Sequence, residues 1–142
     1  MMLELKNKKE IIAWSLYDFA NQPFTTLIVT FIFSAFFTES LAQDNQKGTY
    51  LWSLGISITA IVVALTSPFL GALADSGGYR KAFLMFFTYI CIIATFCLYF
   101  FEPDQTFHLF GLNIHVSVVA LLVFVIANIG FEFGTVFCNS YL

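Results

Sequence analysis

Gly71 to Leu84 reads GALADSGGYRKAFL, and the reading of this stretch decides the fold. An acid (Asp75), a glycine pair (Gly77, Gly78) and a basic pair (Arg80, Lys81) stand between two long apolar segments. Adjacent glycines supply positive-φ backbone at little steric cost, which marks a tight turn. Lys and Arg beside a spanning segment favour the cytoplasmic side of a membrane. Residues 75–81 are therefore expected to form a short cytoplasmic loop between two membrane helices.

Composition agrees with a membrane setting. Hydrophobic residues make up 59% of the 142-residue chain and charged residues only 11%, against about 25% charged in ordinary soluble domains. With six basic residues and a net charge of −3, there is no electrostatic footprint for nucleic acid. The apolar runs predict four helices over about 11–37, 51–74, 82–101 and 113–138, each near or above the roughly 20 residues a bilayer core requires. The first run is longer than the roughly 7–15 apolar residues of a secretory signal, so it reads as a retained helix. Pro103, within Glu102-Pro103-Asp104, ends the third helix because proline cannot continue the hydrogen-bond ladder. None of the runs alternates as a barrel strand does. The expected fold is an all-α integral membrane bundle in one partial transmembrane domain, 1–142. Placing the N-terminus inside puts Lys6, Lys8, Lys9, Arg80 and Lys81 on the cytoplasmic side and Lys47 alone outside, as the positive-inside bias requires.

Polar residues inside these helices are the candidate chemistry. Asp18, Asn21, Gln22 and Thr25 fall on one stripe of the first helix at 100° per residue, with Trp14 beside them. An ionised Asp facing lipid costs about 2.5–3.5 kcal/mol on insertion scales, so the stripe should face protein or a water-filled cavity. Pro23 should kink the helix and free a carbonyl nearby. In the fourth helix, Asn128, Glu132, Thr135 and Asn139 share a second polar face, while Gly130 and Gly134 form a GxxxG pair on roughly the opposite side. Glu132 is a candidate coupling site, because a carboxylate can load and release a proton. For both acids the competing reading is structural: a polar cluster that fixes packing, or an acid near interfacial water.

Ser53, Ser57, Ala60, Ala64, Ser67 and Gly71 make a small-residue stripe on the second helix, expected to be a close-packing surface. The third helix has no formal charge from Ala82 to Phe101 and is expected at the periphery. Cys91, Cys97 and Cys138 lack metal-like spacing and read as small hydrophobes, and His108 and His115 as interfacial polar residues. No hydrolase, zinc-protease or phosphate-loop motif is present, so neither an enzyme, a cofactor nor a metal site is expected.

Three stretches carry a family resemblance. Gly71, Leu73, Ala74, Asp75, Gly78, Arg80 and Lys81 fit G-x-L-A-D-x-x-G-x-[KR]-[KR], the loop signature between helices two and three of the Major Facilitator Superfamily. Ser76 and Tyr79 depart from it, since a basic residue is common at those positions. Trp14–Phe24, WSLYDFANQPF, resembles the first-helix motif of the superfamily's "unknown major facilitator" branch, which includes the autophagy-related vacuolar amino-acid effluxers. The tail IANIGFEFGTVFCNSYL is similar to that branch's fourth helix. The fourth-helix Arg motif of many proton-coupled drug exporters is not apparent, which argues against drug–proton antiport.

The resemblance implies a secondary transporter working by alternating access, with amino acids among its candidate solutes and a proton as candidate coupling ion. It also implies twelve helices in two halves, so the chain is expected to be an N-terminal fragment whose partners are the missing C-terminal helices of the same transporter and the lipid bilayer. Gly71, Asp75, Gly78, Arg80 and Lys81 would form a gating loop, with Asp75 meeting the positive end of a helix in the second half. The alternative is a complete four-helix protein, either a small dimeric exporter or a non-transporting interaction subunit. The Lys-over-Arg, Phe-rich composition points to a bacterial source and hence to the plasma membrane.

Overall fold

A computed structural model describes residues 2–42, 44–103, 105–109 and 112–140. Asp104, Tyr141, Leu142 and the side chains of Lys6 and His108 lie outside the described residues.

The described residues form four long helices. The first is α-helical over Met2–Pro23 and Ile32–Phe36 and π-helical over Phe24–Phe31 and Phe37–Leu41. The second spans Asn45–Gly77, the third Arg80–Leu98 and the fourth Val116–Asn139. All four contain segments long and apolar enough to cross a membrane, that of the first being Ile11–Leu41. Even the shortest, 19 residues, reaches about 28 Å at 1.5 Å per residue, close to the hydrocarbon thickness. The expected all-α membrane architecture is what the chain adopts.

The π-helical stretch begins directly after Pro23. Proline has no N–H to donate to the preceding turn, so the ladder loses a bond there. The chain continues with longer i→i−5 bonds, such as Ile32 N–H to the Leu27 carbonyl. The freed carbonyl is thus accommodated by a change of helical register that persists for eight residues. A second π segment closes with Ala42 N–H on the Phe37 carbonyl at 2.9 Å.

The connections are tighter than the sequence suggests. Thr38–Leu41 and Asn45–Tyr50, expected in a polar loop, are helical. The second helix also continues through Asp75, Ser76 and Gly77, so the turn reduces to Gly78 and Tyr79 rather than 75–81. Gly78 takes φ +65°, and Tyr79 N–H bonds the Ala74 carbonyl at 3.1 Å, a Schellman-type ending that leaves Asp75 on the last helical turn. Between helices three and four, β1 (Thr106–Leu109) and β2 (Leu112–His115) pair antiparallel, with Thr106 opposite His115.

The fourth helix is the hub. Val116, Ala120, Phe124 and Ala127 are fully buried in it. At the hairpin end Val116, Ala120 and Phe124 pack with Phe33, Phe37, Leu41, Trp52 and Leu98, and Trp52 stacks on Phe124 at 4.1 Å; Ala127 packs further along with Phe24 and Ala94. At the turn end Phe133 and Phe137 close against Ala74 and Phe87. Two glycines set the helix spacing. A Cβ on Gly55 would meet Leu121 at 2.7 Å, and one on Gly130 would lie 2.9 Å from the Cys91 nitrogen and the Phe87 carbonyl oxygen. The second helix therefore buries Gly48, Trp52, Gly55 and Thr59, while Ser53, Ser57, Ala60 and Ala64 are exposed. Among these four helices the small-residue stripe is therefore not the packing surface. Small side chains permit close approach on either side of a helix, and Trp52 stacking decides which side is used here. The outer surface is apolar, with Phe69 78% and Tyr99 83% exposed, as a lipid-facing surface should be.

Candidate functional site

The two polar stripes meet at the turn end of the bundle. Trp14 Nε1 on the first helix donates to Asn139 Oδ1 on the fourth at 3.2 Å. One turn on, the Tyr17 hydroxyl bonds Thr88 Oγ1 on the third helix at 2.9 Å. It sits where Gly134 has no side chain, since a Cβ there would lie 2.7 Å from the Tyr17 oxygen. Gly130 thus admits a neighbouring backbone, whereas Gly134 admits a tyrosine hydroxyl. Further along, Phe24 stacks on Phe131 at 4.9 Å.

This docking divides the first-helix stripe. Asn21 and Thr25 are half-buried, while Asp18 and Gln22 are exposed along its open flank. On the fourth helix, Asn128 is buried, at 6% exposure, and Glu132 is half-buried. By helical periodicity both continue the face on which Leu121 and Val125 meet Gly55 of the second helix. Thr135 belongs to the same face, and its buried Oγ1 has no hydrogen-bond partner. Such an orphan hydroxyl is an exception among buried polar groups. Asn139 and Glu132 are seven residues apart, about 10 Å along the axis. Among the described residues no hydrogen bond joins Asp18 to Glu132.

The turn residues form a separate polar cluster. Arg80 Nε donates to Asp75 Oδ1 at 2.7 Å, and Arg80 Nη1 donates to the Ser140 carbonyl at 2.6 Å. Ser140 is the C-cap of the fourth helix. A guanidinium there satisfies a terminal carbonyl and lies at the negative end of the helix dipole. Sequence reasoning missed this clamp because its acceptor is a backbone atom 60 residues away, which no side-chain motif encodes. Lys81 is exposed, and nothing lies within 4 Å of a Cβ built on Gly71. No group of three or more His, Cys, Asp or Glu that could hold a metal ion occurs among the described residues.

The arrangement places polar residues on the flanks of membrane-length helices. The protein family described as "Vacuole effluxer Atg22 like" matches residues 49–142, which include the second, third and fourth helices and the turn. The chain belongs to this family. The uncharacterized MFS-type transporter YxiO of Bacillus subtilis (strain 168) is 28% identical over 138 residues, covering 94% of this chain and 29% of that protein. The chain therefore spans less than a third of the curated relative it matches. No solved structure matches it. Membership of the Atg22-like family makes this a transporter-family, multi-pass membrane chain related to the Major Facilitator Superfamily. It brings Asp75, Arg80, Asn128 and Glu132 within the matched residues, while Asp18 lies outside them.

Proposed function

We propose that this chain is the N-terminal part of a secondary transporter that moves a small solute, with amino acids the leading class, by alternating access. Asp18, Asn21, Gln22, Thr25, Asn128 and Glu132 face its solute or ion path. The observation that carries this reading is the split stripe on the first helix. Asp18 and Gln22 are exposed within a span long and apolar enough to cross a membrane, and an ionised Asp against lipid costs about 2.5–3.5 kcal/mol. Water or further protein must therefore cover that flank. A central path between two rocking halves meets the requirement, and the length of the B. subtilis relative supports further helices beyond these four.

In this reading the N-terminus and the Gly78–Tyr79 turn are cytoplasmic, supported by the lysines and arginine at that end, and the membrane is a bacterial plasma membrane. Asp75 and Arg80 act as a gate, since their ion pair and the bond to Ser140 would have to rearrange if the fourth helix moved against the turn. Glu132 carries the coupling proton. The test is uptake of a radiolabelled amino-acid mixture by membranes carrying the full-length transporter with Asp18→Asn or Glu132→Gln. Both variants should insert normally and lose at least about tenfold in rate, a transition-state loss of about 1.4 kcal/mol. Wild-type uptake in both would overturn the assignment.

A further inference from the structure

The start of the hub helix is held by an unusual cap. His115, the last residue of β2, has extended backbone (φ −66°, ψ 143°) and occupies the N-cap of the fourth helix. Its Nδ1 accepts from the Ser117 backbone N–H at 3.3 Å and lies 2.9 Å from Ser117 Oγ. The corner is fixed on the other side by Val116 N–H on the Gln105 carbonyl at 3.1 Å. Val116 is fully buried and Ser117 nearly so, so water is poorly placed to replace the cap.

Histidine caps only when Nδ1 is unprotonated, because a protonated ring has two donors and no acceptor. Protonation also sets a positive charge at the positive end of the helix dipole, and the first turn of this helix contains no acid to offset it. The protonated Nδ1–H could turn to donate to Ser117 Oγ, but the Ser117 N–H would still lose its acceptor. Histidine is the side chain that ordinarily changes charge between about pH 5 and 8.

Among the described residues, the charged and titratable groups around this end are few. Glu39 ends the first helix, Asp44, Lys47 and Tyr50 begin the second, and Tyr99 and Glu102 follow the third; all are exposed. Glu102 accepts from Gln105 Nε2 at 3.4 Å, and among the described residues none of these groups bonds His115.

We infer that His115 is a pH-sensitive cap: at neutral pH it fastens the first turn of the hub helix, and acid on the hairpin side releases that turn. On the proposed function, the same helix carries Asn128 and Glu132, so release of its first turn would loosen one wall of the solute path. The inference stands on the cap geometry and does not depend on the solute.

The test is hydrogen exchange of the protein in lipid nanodiscs, followed at the amides of residues 117–120 and corrected for intrinsic exchange at each pH. From pH 7.5 to 5.5 the protection of these amides should fall about fivefold, the scale of a lost N-cap. His115→Asn keeps a cap acceptor that does not titrate, so it should stay protected at both pH values. His115→Ala should be poorly protected at both. Unchanged wild-type protection, or a His115→Asn variant that keeps the wild-type pH response, would overturn the proposal.

Discussion

Gly130→Ala is the sharpest test of how the hub is packed. The added methyl would sit 2.9 Å from the Cys91 nitrogen and the Phe87 carbonyl oxygen, and 3.2 Å from the Cys91 Cα. These are backbone atoms of one helical turn, so no side-chain rotation relieves the clash; the third helix must shift as a body. Overpacking of this kind costs about 1–3 kcal/mol. Alanine also brings a helix-propensity gain of about 1 kcal/mol over glycine, which would mask part of the loss. Gly71→Ala removes that ambiguity. It makes the same change inside a helix with nothing within 4 Å of the new methyl, so the propensity gain cancels between the two variants. Their difference should therefore be the strain alone, about 1–3 kcal/mol, or roughly 5- to 160-fold in the folding equilibrium. Reversible unfolding in mixed micelles, with each variant titrated with denaturing detergent, reads this difference. Equal midpoints for Gly130→Ala and Gly71→Ala would refute the close approach of the third and fourth helices.

Gly78→Ala should destabilise by about 1–2 kcal/mol, because an L side chain is penalised in the left-handed region and Gly78 sits at φ +65°; unfolding midpoints report it. Asp75→Asn breaks an ion pair whose Arg80 and Asp75 side chains are 41% and 57% exposed, so its effect on stability should stay below about 1 kcal/mol and fade in high salt. If the gating role holds, the same variant should slow uptake far more than it lowers stability, and a proportionate loss of both would assign Asp75 to stability alone.

Much of this architecture is legible in the sequence because the bilayer imposes it. Long uncharged runs have to become helices, and Gly78 has to turn where the chain reverses. The helical register is another matter. Hydropathy carries no record of whether a backbone N–H reaches four or five residues back, so Pro23 announces a disturbance without announcing an eight-residue π segment. The short hairpin at 106–115 has strands of four residues each, too few for a periodic signal to rise above a loop. Side-chain size also misleads about facing. The Ser53–Gly71 stripe has the residues of an interface, yet Trp52 and Gly55 make the contact with Phe124 and Leu121. At the site, 100° spacing groups the polar residues into two stripes, but the contact between Trp14 and Asn139 is supplied by the fold. The Arg80 clamp and the His115 cap were not readable, since each depends on a backbone group whose position only the fold supplies.

The central claim is that the Asp18 flank of the first helix meets an aqueous path rather than lipid. Single cysteines at Gln22 and at Phe19, which is 77% exposed, test it most directly in a background with Cys91, Cys97 and Cys138 replaced. Labelling in intact membranes with a water-soluble maleimide should modify the Gln22 position readily and the Phe19 position slowly, because a thiol in hydrocarbon neither ionises nor meets the reagent. Equal, slow labelling of both would place the stripe in lipid or in dry packing and contradict the account.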